Sequence, residues 1–101
     1  MLGLVLVTHA PLGDAIAQCV KHVMGSLPDG LAVVDVPADE DIEQSVQRIQ
    51  AAARQVHAGE GVVFLTDLFG ATPSNAAVRA GVESLNLPTV LVSGCNLPMV
   101  L

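Results

Sequence analysis

Long apolar runs and runs with helical spacing alternate along this chain. Leu2 to Val7 is almost continuously apolar and ends on Thr8-His9, after which Ala10-Pro11-Leu12-Gly13 breaks the run. A run of this kind is the signature of a strand buried on both faces, as in a parallel sheet. Ala15, Ile16, Cys19, Val20, Val23, Met24 and Leu27 then recur at helical spacing, and Gln18, Lys21 and His22 take the other face. The spacing predicts a helix with Cys19 as a small core residue, closed by Gly25-Ser26 and the turn Pro28-Asp29-Gly30. Leu31 to Val36 is a second, β-branched strand stopped by Pro37. Asp39-Glu40-Asp41 opens a second helix with negative charge where its dipole favours it. Ile42, Val46, Ile49, Ala53 and Val56 form the buried stripe of that helix, and His57 sits in its last turn. A third strand, Gly61 to Asp67, again ends on a polar residue. Thr72 is a natural N-cap and Pro73 suits a first helical position. The third helix carries Ala76, Ala77, Ala80 and Val82 to about Leu85, and a fourth strand runs from Thr89 to Ser93.

Strict alternation of strands and helices over residues 1–101 predicts one α/β domain: an open, doubly wound parallel sheet with helices on both faces. Right-handed crossovers leave 2-1-3-4 as the commonest compatible strand order. In that order the chain reverses direction between strands 1 and 3. The crevice outside the carboxyl ends of the strands, where such sheets bind ligands, then lies between His9 and Asp67.

Composition narrows the function classes. The chain has four Lys+Arg against ten Asp+Glu, a formal net charge of −6. That is no footprint for nucleic acid or for an anionic membrane. The opening apolar run is too short to span a bilayer and lacks the flanks of a signal peptide, so a cytoplasmic protein without direct membrane insertion is expected. Only 14% of the residues are charged, against about 25% in an average domain. The shortfall, with the apolar end Val100-Leu101, predicts a surface covered in a homodimer. Cys19 and Cys95 form no C-x-x-C pair and are expected as thiols. Cys95 lies in a loop placed near the crevice, where a reactive thiol is an open alternative. His22 and His57 read as solvated helix residues, and Asp39 to Asp41 as a charged helix start and not a metal site; no metal or cofactor is expected.

Three segments converge on the crevice: His9 to Gly13, Asp67 to Asn75 and Gly94 to Met99. Two helix N-termini, near Leu12 and at Thr72-Pro73, point at it, and helix N-termini bind anions through unpaired N–H groups and partial positive charge. An imidazole, a carboxylate and two anion-binding ends together predict phosphate handled by a histidine. If Asp67 accepts from Nδ1–H, it fixes the tautomer and leaves Nε2 as a nucleophile. The phosphohistidine carries close to two negative charges, for which the Thr72 and Ser74 hydroxyls and the N–H groups of that helix are candidate donors. Neither G-x-x-x-x-G-K-[ST] nor G-x-G-x-x-G after a strand occurs. Phosphate without a nucleotide loop points to a phosphoryl group delivered by another protein.

Val5-Leu6-Val7-Thr8-His9, Phe64 to Asn75 with its D-x-x-G-[GA]-[ST]-P-x-N pattern, and Gly94-Cys95-Asn96-Leu97-Pro98-Met99 resemble the IIA domain of the mannose family of the bacterial phosphotransferase system. The resemblance spans essentially the whole chain. It implies an open α/β sheet, usually dimeric, in which His9 takes a phosphoryl group from phospho-HPr and passes it to a IIB domain during sugar uptake through a membrane permease. Asp67 would be its hydrogen-bonding partner. Thr72, Ser74, Gly70 and Ala71 would bind the phosphoryl group, and Pro11, Phe69, Asn75, Asn96, Pro98 and Met99 would make loop and partner contacts. Family members often have Gly after the histidine, where this chain has Ala10-Pro11. The family pattern also continues beyond N-[IL]-P-M with a helix and a last strand. With the chain stopping at Leu101, either the sequence is cut short or the domain is pared down.

The same His9 chemistry admits a second role, a regulatory module whose phosphorylation state is read by a partner without sugar transport. A nucleotide- or flavin-binding enzyme is a third reading, against which the absent glycine-rich loops count. The phosphohistidine domain of dihydroxyacetone kinases resembles the same family, but the T-P-x-N segment fits the mannose type better.

Overall fold

In a computed structural model of the chain, the described residues are 3–56, 61–67, 72–84, 89–94 and 100. Of Ser74, residues 82–84 and residues 89–90 only the backbone is described. Four strands, β1 (Gly3–His9), β2 (Leu31–Val36), β3 (Val62–Thr66) and β4 (Thr89–Val92), alternate with three helices, α1 (Leu12–Met24), α2 (Ile42–Val56) and α3 (Thr72–Ser84). The strands form one parallel sheet in the order β2-β1-β3-β4. The expected fold class and strand order are those observed.

Period-two alternation along β1 divides the core between the two faces. Val5 and Val7 join Val34, Val36, Phe64 and the buried sides of α2 and α3, including Val46, Ile49, Ala76 and Ala80. Leu6 points the other way, onto Ile16 and Val20 of α1 with Leu31 and Leu65. α2 and α3 therefore share one face, where they pack on each other, and α1 takes the opposite face. The register sets Thr8 beside Asp35 and His9 beside Val36, so two polar positions stand at the carboxyl end of the central strand.

The α1 expectation needs correction. Its buried line is Gly13, Ile16, Ala17 and Val20. Cys19 is exposed, as are Ala15, Val23 and Met24. The helix meets a single sheet surface along one narrow line, and α2 and α3 lie on the other face. The second apolar line, 12-15-19-23, thus has no described helix beside it, and Cys19 is no core residue. The end of α1 is as expected: Gly25 adopts φ 86°, the left-handed conformation of a C-cap glycine, and its N–H donates to Lys21 O.

Other boundaries shift by a few residues. Asp39 and Glu40 lie in a turn before α2, which starts at Ile42. The expected stripe of α2 holds: Val46, Ile49, Ala53 and Val56 are buried and Ile42 packs against them. Gly61 and Asp67 flank β3 without belonging to it, and β4 ends one residue before Ser93. Thr72 is the first residue of α3 and Pro73 the second, one step further into the helix than the cap placement. Proline is tolerated there because first-turn N–H groups have no partner within the helix. His57, Leu85 and Cys95 fall outside the described residues.

Candidate functional site

β1 carries His9 to the carboxyl edge of the sheet, and β3 brings Asp67 alongside. Asp67 Oδ2 lies 2.8 Å from His9 Nδ1 and accepts the His9 backbone N–H at 3.1 Å. An ionised carboxylate only accepts, so Nδ1 carries the hydrogen and Nε2 keeps its lone pair. The side chains differ in access: His9 is 50% exposed and Asp67 15%. The imidazole is thus half open to solvent while the carboxylate bonded to it is withdrawn. Burial pushes the Asp67 carboxyl up, but the hydrogen bonds from the His9 ring and backbone outweigh it, and the group is held below its ordinary value. Asp67 Oδ1 is buried without a hydrogen-bond partner among the described residues.

His9 opens into a cleft of about 300 Å³, lined also by Val36, Pro37, Ala38 and Glu40 after β2 and by Thr72 and Pro73 at the start of α3. The odd residues of β1 face α2 and α3, so His9 lies on the face where the N-terminus of α3 stands. Thr72 and Pro73 bring the start of α3 to the cleft, and a helix start carries partial positive charge.

Of the sequence-predicted residues, His9, Asp67 and Thr72 come together. Pro11 is exposed immediately before α1, and Asn75 is exposed on the first turn of α3. Ser74 lies in the same turn, but its side chain is outside what is described. Phe69, Gly70, Ala71, Asn96, Pro98 and Met99 lie outside the described residues.

The second anion-binding helix end is not available. Asp35 already fills it: its Oδ1 accepts the Gly13 N–H at 2.8 Å and its Oδ2 the Asp14 N–H at 2.9 Å. The N-terminus of α1 is capped by a carboxylate from a neighbouring strand, so of the two helix starts only that of α3 lines the His9 cleft. The reading of Leu12 as a phosphate-facing helix start is corrected accordingly.

Sequence reasoning also missed the wall formed by residues 36–40. Glu40, read as part of a charged helix start, accepts from the Ser45 hydroxyl at 2.5 Å and from Arg48 at 2.7 Å. The Ser45 hydrogen bond, opposed by burial and reinforced by Arg48, holds the Glu40 carboxyl below its ordinary value. Arg48 also donates to the Asp35 carbonyl at 2.9 Å, tying the wall to β2. The available signal was topological: β2 neighbours β1, so the loop after β2 must border the residue that ends β1. Among the described residues no cluster of His, Cys, Asp or Glu could hold a metal ion, and no helix is long and apolar enough to cross a membrane.

A family model described as the PTS system fructose IIA component, EIIA-man, matches residues 3–101. The chain belongs to that family. The mannose-specific EIIAB component of the phosphotransferase system (PTS) from Escherichia coli K12 is 24% identical over 98 residues, which are 97% of this chain and 29% of the relative. This IIA-family chain thus spans less than a third of the curated relatives it matches. Among solved structures, the phosphotransferase system component EIIA from Streptococcus agalactiae superposes with a TM-score of 0.85 at 23% identity, covering 99% of this chain and 74% of the other. The PTS IIA protein associated with the fucose utilization operon of Streptococcus pneumoniae gives 0.81 at 20% identity, covering 97% and 72%. Both likenesses establish that the IIA fold is shared.

Proposed function

We propose that residues 1–101 act as one phosphohistidine carrier domain, with His9 taking a phosphoryl group from phospho-HPr and passing it to a IIB domain. The observation that carries this reading is the His9 pair: Nδ1 bonded to Asp67 at 2.8 Å, on a ring that lines a cleft bordered by the start of α3. Membership of the IIA family supports the same chemistry.

In the forward step the Nε2 lone pair attacks phosphorus. The Nε2–P bond forms as the bond from phosphorus to the donor breaks, and the donor atom keeps that electron pair. Asp67 holds Nδ1–H throughout and offsets the positive charge that develops on the ring. The α3 N-terminus meets the charge on the transferring oxygens, the electrostatic contribution such a transfer depends on most. Transfer to the acceptor reverses the sequence and returns Nε2 to its neutral state.

The test is incubation with Enzyme I, HPr and phosphoenolpyruvate followed by intact mass. One added phosphoryl group is expected on the wild type and none on His9→Ala, which keeps its fold because the side chain lies at the cleft mouth. A phosphoryl group on His9→Ala would overturn the assignment of the acceptor.

A further inference from the structure

The end of β1 is gripped from both sides, and only the Asp67 side belongs to the chemistry just described. On the other side Asp35 Oδ1 accepts the Thr8 hydroxyl at 2.7 Å and the Gly13 N–H at 2.8 Å, while Oδ2 accepts the Asp14 N–H at 2.9 Å. We propose that Asp35 is a positioning residue for His9: one carboxylate ties Thr8 of β1 to the first turn of α1 and so sets the path of the segment between them.

The brackets close on either side of that segment. Thr8 is fully buried and immediately precedes His9; Gly13 and Asp14 follow it by four and five residues. Within the bracket Ala10 N–H donates to Val36 O at 3.1 Å, so the end of β2 holds residues 8, 10, 13 and 14 together. The His9 backbone N–H is thereby aimed at Asp67 Oδ2, the oxygen that also orients the ring. The clamp leaves no slack. A Cβ on Gly13 would stand 2.5 Å from Asp35 Oδ1 and 2.6 Å from Thr8 Oγ1, distances that real Cβ atoms do not tolerate, so only glycine lets α1 approach this carboxylate.

The chemistry requires an anion with two accepting oxygens. Every group turned to it is an N–H or O–H donor, and an asparagine would set its own NH2 against one of them. Because the Asp35 carboxylate makes no hydrogen bond to His9 and does not line the cleft, it acts on His9 through the backbone path.

The inference deepens the phosphohistidine reading and rests on it only where phosphorylation is the readout. The test is Asp35→Asn, with two measurements. In 15N NMR of the His9 imidazole, the wild type is expected as the Nδ1–H tautomer, and the variant is expected to lose that preference as the Asp67 contact loosens. In phosphoryl transfer from phospho-HPr, kcat should fall on the order of tenfold with KM unchanged, since a misplacement of about 1 Å in a reacting group can cost about 100-fold. Unchanged His9 resonances and an unchanged kcat in a folded Asp35→Asn protein would reduce Asp35 to a helix cap and overturn the proposal. If Asp35→Asn does not fold, Thr8→Val, which removes one donor at equal size, must shift the His9 resonances in the same direction, and their constancy overturns the proposal equally. A wild type that takes up no phosphoryl group would fail the functional reading, while the NMR comparison still decides the role of Asp35.

Discussion

Two carboxylates flank the end of β1, Asp35 in β2 and Asp67 just after β3, and they do different work. Asp35 is saturated by groups of the scaffold: a buried hydroxyl and two backbone N–H groups. Asp67 receives a half-exposed imidazole, and its second oxygen is buried with no described partner. The same residue type at the same level of the sheet is a fastener in one place and an orienting group in the other. The donors decide this. A carboxylate whose donors cannot leave is part of the scaffold, whereas one whose donor also faces solvent can influence what that donor does next.

The comparison predicts opposite splits between activity and stability. Asp67→Ala should slow phosphorylation of His9 on the order of 100-fold, because ring orientation and tautomer are lost together. Its stability should change by less than about 1 kcal/mol, since the variant also removes a buried oxygen without a described partner. Asp35→Ala should cost about 1.5–3 kcal/mol, the range for hydrogen bonds to a charged group, with Thr8 and the start of α1 left unsatisfied. Urea midpoints and initial rates of phosphate incorporation on the two variants check this. If both lose stability and rate in equal proportion, the two carboxylates are not functionally distinct.

A smaller effect is expected across the cleft. Thr72→Asp keeps a residue favourable at a helix start, so the urea midpoint should hold. A negative charge at the cleft-lining end of α3 should nevertheless slow uptake of a dianionic phosphoryl group several-fold. A wild-type rate in that variant would mean that the phosphoryl group does not pass this helix end.

The smallest effect is on pH. The native Asp67 carboxyl sits below its ordinary value, so on acidification the unfolded chain takes up its proton first. The stabilisation is fully present above the unfolded pKa of about 3.9 and is lost as pH falls through the lower native value. Wild type and Asp67→Asn, compared by urea midpoint, should keep a constant offset from neutrality down to roughly pH 4. The offset should change in the stated direction only below that. A change between pH 5 and 7 would point to another group.

Much of this molecule is written in one-dimensional pattern. The apolar run that ends at His9, the apolar stretches 31–36 and 62–66, and the 42-46-49-53-56 stripe of α2 each determine an element. With the handedness of crossovers they determine the sheet order, because burying continuous apolar strands needs helices on both faces. The meeting of His9 with Asp67 follows from that order, since β1 and β3 are neighbours whose polar residues both stand at the carboxyl edge. Three features required the tertiary structure. Cys19, Val23 and Met24 have the spacing of a buried face, yet α1 rests on the sheet along the narrower line 13-16-17-20, because the width of a buried stripe depends on what lies beside the helix. Glu40 became a cleft wall only through its bonds to Ser45 and Arg48 and the placement of the loop after β2 beside the end of β1. Asp35 looks like a lone polar interruption in a strand; its role appears only when the β1–β2 register sets it against Thr8 and the turn of α1 brings two N–H groups to the same carboxylate. Periodicity records which way a residue faces within its own element. The partner it meets there is chosen by packing between elements, which the chain specifies jointly and no single stretch of it carries.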